Sequence, residues 1–124
     1  MRILFVLLSA VLAGGAIAGD LSGEQVYQSV CSTCHAEGKD GAPVFGARKT
    51  WAKLVREGLD DLVPAAIKGV RKMPPRGGKA ELSDLEVARG VVYMANAGGG
   101  KFAEPDAEAA ARWRAIADRK KRKQ

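Results

Sequence analysis

The sequence has few of the residues that most often build metal sites and cores: two cysteines, one histidine and only 6% aromatic residues. A structural zinc site takes four ligands, and two cysteines with one histidine leave it without a fourth soft donor. The length of 124 residues excludes a two-domain enzyme, because a domain usually needs roughly 100 to 200 residues. With so few aromatic side chains, we expect something other than the protein's own residues to fill part of the core.

The net charge of +6 is concentrated at one end of the chain. Residues 112–124 contain seven basic residues and one acidic residue, whereas residues 19–111 contain twelve basic and thirteen acidic residues. A surface that binds nucleic acid needs its basic residues gathered into one patch. Because the body of the chain is nearly neutral, no nucleic-acid partner is expected. Contact with an anionic membrane surface remains an alternative for the basic tail alone.

The N-terminal segment has the pattern of a secretory signal peptide. Arg2 precedes a short apolar run over residues 3–13, and Gly14 and Gly15 lead to the small-residue cleavage pattern Ala16-Ile17-Ala18. An uncleaved membrane anchor is the alternative, but a span needs about 20 apolar residues and this run is shorter. We predict a signal peptide over residues 1–18 and an exported, periplasmic mature protein.

The two cysteines and the single histidine lie together in Cys31-Ser32-Thr33-Cys34-His35, the pattern that attaches haem c. On a helical turn, residues three and four positions apart share one face, so both thiols and the imidazole can meet one macrocycle. A disulfide would close a loop too small to stabilise much. A thioredoxin-like redox pair would need a preceding strand. We predict one covalently bound haem c with His35 as an iron ligand.

The sixth iron ligand must be something other than histidine, because His35 is the only one. Methionine, lysine and an open or water-filled site are the candidates. Met94 lies in a run with apolar residues at helical spacing, where a core role is the better interpretation. Met73 is followed by Pro74-Pro75-Arg76-Gly77-Gly78, which predicts an irregular loop. A methionine on such a loop is well placed to present its thioether to a metal, so Met73 is the predicted ligand.

Together these motifs resemble the class I mono-haem cytochromes c, and most closely the small bacterial cytochromes of the c-five type. The resemblance extends roughly from Gly23 to Met94. Its other elements are Tyr27, Gly41-Ala42-Pro43, Trp51 with Leu54, Gly58-Leu59, Leu82-Ser83-Asp84 and Tyr93-Met94. The chain departs from that type in lacking a second cysteine pair and in continuing past the last expected helix.

The resemblance implies an all-α class I cytochrome c fold wrapped around one haem, and roles for three further residues. Gly23 would let the first and last family helices cross closely. The Pro43 carbonyl would accept a hydrogen bond from His35 Nδ1, although Pro43 could equally be a turn residue. Trp51 would reach a haem propionate through its indole N–H, although a buried core tryptophan is equally expected.

Local patterns predict the elements of a cytochrome domain over residues 19–97. The first helix covers about residues 23–30, Thr50 caps a helix that ends at Arg56, and a third helix before Gly69 starts no earlier than Val63 because of Pro64. Ser83 and Glu86 form a capping box that opens a helix ending near residue 96.

Residues 98–124 are predicted to form a flexible glycine joint followed by a basic helix over about residues 105–123. An apolar stripe on this helix would dock on the protein's own body, or alternatively on a partner or membrane surface. The stripe consists of Ala110, Trp113, Ile116 and Ala117.

These features predict an exported one-electron carrier that is not an enzyme, is a monomer, and docks redox partners through their acidic faces. A basic rim near the methionine loop would steer that docking: Lys68, Arg71, Lys72, Arg76 and Lys79. The alternatives are a haem enzyme or gas sensor with an open sixth site, and a cytochrome subunit of a larger redox complex.

Overall fold

The computed structural model describes residues 20–121, which form helices and loops and contain no strand in that range. The predicted signal peptide over residues 1–18 lies outside the described residues. None of the described helices has the length and apolar character needed to cross a membrane. The all-α fold class is confirmed.

The haem motif lies on a helical segment that changes its winding. It begins as α1 (Gly23–Val26), continues through a π-helical stretch (Tyr27–Cys31) and ends as α2 (Ser32–His35). Ser22 caps it, with its hydroxyl accepting from the Gln25 N–H while the Gln25 side chain accepts from the Ser22 N–H. The sequence did not predict the π-helical stretch; such stretches are frequent at functional sites.

The next two helices differ from prediction at their N-termini. Helix α3 (Arg48–Glu57) begins before Thr50, and no side chain caps it, so the predicted Thr50 cap is wrong. Helix α4 (Leu59–Lys68) begins four residues earlier than predicted and contains Pro64. Packing explains the earlier start, because Leu59 and Leu62 lie against the main core. Pro64 lacks a backbone N–H donor, and the helix nevertheless continues through it to Lys68.

The last two helices close the fold. Helix α5 (Asp84–Ala97) begins with the predicted capping box. The Ser83 hydroxyl accepts from the Glu86 N–H, and the Glu86 carboxylate accepts from the Ser83 N–H. Helix α6 (Ala107–Arg119) begins after Asp106, whose carboxylate accepts from the Ala109 N–H.

Helix α1 crosses α5 at Gly23, as the resemblance implies. A Cβ atom at this position would lie 2.4 Å from the Arg89 carbonyl oxygen, which is far inside van der Waals contact. Only glycine therefore allows this approach of the two helices.

Helix α6 completes the main core rather than lying outside it. Trp113 and Ala117 are 3% and 1% exposed and pack with buried residues of α1, α4 and α5. The Trp113 indole N–H also donates to the Asp60 carboxylate at 2.8 Å. Of the two roles that the sequence left open for the apolar stripe, docking on the protein's own body is the one observed.

Two of the three glycines before α6, Gly98 and Gly100, are closely packed, while Gly99 is exposed, which corrects the expectation of a flexible joint. The Gly98 N–H donates to the Met94 carbonyl and the Gly100 N–H to the Ala95 carbonyl. A Cβ atom on Gly98 would lie 2.3 Å from Trp51 Cβ. The Asn96 amide then holds the Phe102 backbone through two hydrogen bonds. Composition suggested mobility, but these glycines serve close contact.

Candidate functional site

One cavity of about 360 Å³ collects most of the residues singled out from the sequence. Cys31, Cys34 and His35 line it from the helical segment, Pro43 from the following loop, and Met73 from the loop after α4. A volume of this order is typical of sites for small molecules and prosthetic groups.

His35 is held with one ring nitrogen committed. It is 8% exposed, and its Nδ1 lies 2.8 Å from the Pro43 carbonyl oxygen. A carbonyl only accepts, so Nδ1 carries the proton and donates to it, which leaves Nε2 unprotonated in the neutral ring. A histidine held in this way has its ring orientation and tautomer fixed for binding a metal through Nε2.

The two cysteines are partly buried free thiols. Burial raises the pKa of Cys31 to about 11, so this thiol stays neutral at ordinary pH. Thioredoxin-like redox pairs instead depend on a cysteine of lowered pKa that follows a strand. The described chain has neither that thiol environment at Cys31 nor a strand, so the geometry favours a different use of the two cysteines.

Met73 lies on a tight turn that its own backbone closes. The N–H of Val70 donates to the Met73 carbonyl at 3.1 Å, and the N–H of Met73 donates to the Val70 carbonyl at 2.9 Å. Gly69 has φ +85, and a Cβ atom there would lie 2.9 Å from the Met73 carbonyl oxygen. The turn leads into a 3-10 helix (Pro75–Gly78) in which Arg76 has φ 55. These constraints fix the Met73 backbone at the cavity.

Met94 has a different environment. It is 3% exposed and lies in a second core cluster with Trp51 and Ala95. Met94 does not line the cavity, although Cys31, which does, packs against this cluster. The structure thus separates the two methionines into one at the cavity and one in the core.

Trp51 is the predicted site residue that does not itself line the cavity, although its ring centroid lies 6.5 Å from that of His35. It is 4% exposed, and its indole N–H donates to the Val44 carbonyl at 2.9 Å. The indole has a single donor. In this structure that donor ties α3 to the loop before it and is not directed at a group in the cavity.

Basic side chains surround the cavity, but not all of those predicted. Arg71, Lys72 and Lys79 line it together with Lys39, which the sequence analysis did not single out. Lys72 lies 4.0 Å from Asp40 in an exposed pair, which is worth little in stability. Lys68 and Arg76 of the predicted rim are engaged elsewhere: Lys68 Nζ donates to the Ala117 carbonyl, and Arg76 lies 3.7 Å from the Asp84 carboxylate.

The donor set fits a covalently attached haem better than a bare metal ion. Among residues 20–121 no group of three or more His, Cys, Asp or Glu side chains could hold such an ion. Two thiols, one imidazole and one thioether line a single cavity, which matches a macrocycle with two attachment points and two axial ligands.

Comparisons with known proteins agree with this chemistry. A model of the family described as cytochrome c oxidase, cbb3-type, subunit III matches residues 18–94. Cytochrome c-555 of Chlorobaculum tepidum is 38% identical over 89 residues, which are 68% of this chain and 82% of that protein. Cytochrome c5 of Ectopseudomonas mendocina is 34% identical over 87 residues, which are 68% of this chain and 97% of that protein.

A solved structure shares the fold. A chain in the crystal structure of an electron transfer complex of nitrite reductase with cytochrome c matches with a TM-score of 0.60 and 39% identity. The match covers 64% of this chain and 96% of that one. The chain belongs to the class I mono-haem cytochrome c family, whose members carry one covalently bound haem c.

Proposed function

We propose that this protein is an exported one-electron carrier whose haem is attached through Cys31 and Cys34 and ligated by His35 and Met73. The observation that supports it most directly is that the attachment motif and the methionine loop, forty residues apart in sequence, line one cavity. The family relatives named cytochrome c-555 and cytochrome c5 are consistent with the role.

In this proposal the bound haem supplies reversible Fe(III)/Fe(II) chemistry, and the chain sets the conditions for it. The Pro43 carbonyl keeps His35 in the tautomer that ligates through Nε2. Met73 would supply its thioether to the iron opposite His35, and ligation by histidine and methionine would favour the reduced state and a comparatively high potential. Iron held by both residues would leave no position for a substrate, and we propose that the protein is not an enzyme.

Attachment can be tested by extraction. Acid–acetone treatment of the holoprotein is expected to leave the haem on the polypeptide, because thioether bonds survive denaturation. Cys31→Ala and Cys34→Ala should each leave one bond, and the double variant none. Haem that moves into the organic layer from the unaltered protein would end this part of the proposal.

The sixth ligand separates a carrier from a haem enzyme or gas sensor with an open site. Met73→Ala is expected to open that position, so that cyanide binds the oxidised protein and carbon monoxide the reduced protein readily. Met94→Ala is the matched control, since it removes a buried core methionine that does not line the cavity. Ready binding of both ligands to the unaltered protein would favour the open-site alternative.

We also propose that residues 1–18 direct export to the periplasm and are cleaved near Gly19. N-terminal sequencing of haem-loaded protein from a periplasmic fraction tests this step. A mature chain that still begins at residue 1 and sediments with membranes would instead support an uncleaved anchor.

For the partner, we propose a redox protein with an acidic face, docked over the basic side chains at the cavity: Lys39, Arg71, Lys72 and Lys79. A similar chain was crystallised in an electron transfer complex with nitrite reductase. Electron transfer to an acidic partner should slow with added salt. Lys72→Glu should reduce both the rate and its salt dependence, whereas Lys53→Glu, away from the cavity lining, should change them little. Equal effects of the two variants would contradict this docking face.

A second candidate, a cytochrome subunit of a larger redox complex, is suggested by the description of the family model. Gel filtration of the native protein separates the two. We propose a monomer, so elution at the size of one chain is expected. Elution within an assembly of other polypeptides, or recovery with the membrane through the basic tail, would favour the second candidate.

A further inference from the structure

Helix α6 lies beyond residues 18–94, the part matched by the family model, yet it is tied to the segment that carries Met73. Its anchoring in the main core through Trp113 and Ala117 gives it a fixed position on α4 and α5. Two polar connections run from this helix toward the methionine loop.

The first connection reaches the C-terminal side of the loop. Arg114 donates to both oxygens of Asp84, with Nε 2.8 Å from Oδ2 and Nη2 2.6 Å from Oδ1. The same Asp84 carboxylate lies 3.7 Å from Nη2 of Arg76, three residues after Met73. Arg114 therefore holds the one carboxylate that faces the strained Arg76 position.

The second connection reaches the N-terminal side of the loop. Lys68 Nζ donates to the carbonyl of Ala117 at 2.8 Å and also to the carbonyl of Lys120. Lysine at a helix C-terminus satisfies carbonyls that lack partners within the helix. Lys68 is the last residue of α4 and directly precedes Gly69, where the turn to Met73 begins.

We propose that α6 is a positioning element for the Met73 loop, with Arg114 and Lys68 as the positioning residues. The inference rests on the proposed ligation by Met73. Lys68 and Asp84 flank residues 69–78 on the two sides, and α6 fixes the position of both. The contact between Arg76 of the loop and Asp84 therefore depends on a carboxylate that Arg114 holds in place. The chain thus uses a helix outside the matched family region to keep its sixth ligand in place.

The contacts are strong enough for this role. Paired charge-assisted hydrogen bonds from arginine to a carboxylate are stronger than neutral ones, and here the two side chains are only 33% and 24% exposed. A hydrogen bond to a charged group corresponds to about tenfold in a local equilibrium. Arg114→Ala should raise the population of the open loop by up to this factor, because Arg114 acts on the loop through Asp84 and Arg76.

The test is the rate of cyanide binding to the oxidised holoprotein, because cyanide can bind only when Met73 leaves its position. Arg114→Ala is expected to bind cyanide faster than the unaltered protein, by up to about tenfold. Arg112→Ala is the matched control, since Arg112 lies on the same helix but contacts the exposed Asp60 and the Trp113 ring instead of Asp84. The control should bind cyanide at the unaltered rate.

A second measurement on the same variants distinguishes a specific effect on the loop from global destabilisation. Urea titration gives the free energy of unfolding. Gly23→Ala, a destabilising substitution outside α6 and the methionine loop, shows how far global destabilisation alone accelerates cyanide binding. Lys68→Met, which keeps an apolar stem and removes the donor, is an independent variant should Arg114→Ala fail to fold. It is expected to accelerate cyanide binding in the same direction.

The inference is overturned if Arg114→Ala and Lys68→Met bind cyanide no faster than Arg112→Ala, or no faster than Gly23→Ala. Failure of the ligand proposal itself looks different. In that case Met73→Ala would bind cyanide no faster than the unaltered protein, whatever the α6 variants do.

Discussion

Replacing Trp113 tests whether α6 belongs to the core. The side chain is 3% exposed and packs among buried residues of α1, α4 and α5. Truncating a buried tryptophan to alanine costs about 3–5 kcal/mol, from lost apolar burial and the cavity left behind. That is a large part of the roughly 5–15 kcal/mol that stabilises a typical domain.

The assay is urea unfolding of the holoprotein followed by far-ultraviolet circular dichroism. With a slope of about 2 kcal/mol per molar urea, Trp113→Ala should lower the unfolding midpoint by about 2 M. Trp113→Phe keeps most of the apolar packing and removes the N–H donor to Asp60, whose side chain is 70% exposed and can be hydrated. This variant should lose only about 1 kcal/mol. A midpoint for Trp113→Ala within about 0.3 M of the unaltered protein would refute the reasoning.

Three further substitutions probe other parts of the structure. Gly23→Ala brings a Cβ atom to 2.4 Å from the Arg89 carbonyl and should cost about 1–3 kcal/mol by thermal unfolding, with the exposed Glu24→Ala as control. The hydrogen bond from Arg114 lowers the pKa of Asp84. The stability that ionised Asp84 contributes is therefore complete at neutral pH and is lost as the pH falls below about 4 through the lowered pKa. Asp84→Asn should flatten this pH dependence when the free energy of unfolding is measured across acid pH. Trp51→Phe removes the hydrogen bond to the Val44 carbonyl and should lower stability by about 1 kcal/mol with an unchanged redox potential, whereas a shifted potential would indicate contact with the haem.

Short-range patterns predicted much of the fold because their chemistry is local. Capping boxes depend on residues three positions apart, and the one predicted at Ser83 forms; Ser22 and Gln25 have the same spacing and form another. The two cysteines and His35 lie together for the same reason, because their spacing places them on one helical segment. The close approach at Gly23 was available only through the family resemblance, since it depends on Arg89, distant in sequence.

The features that local sequence patterns predicted wrongly depend on contacts between residues distant in sequence. Pro64 argued for a late start of α4, but burial of Leu59 and Leu62 extends the helix N-terminally. The composition of residues 98–100 predicted a flexible joint, whereas contact with Trp51 holds Gly98 against the rest of the domain. Lys68 was predicted to belong to the basic rim, whereas its Nζ donates to a carbonyl near the end of α6.

The central claim is that Met73, and not Met94, completes the iron coordination of a closed electron carrier. The most direct measurement is the sulfur-to-iron charge-transfer band in the optical spectrum of the oxidised holoprotein and its two methionine variants. The account predicts that the band is present in the unaltered protein and in Met94→Ala and absent in Met73→Ala. A band that survives in Met73→Ala, or that is missing from the unaltered protein, would contradict it.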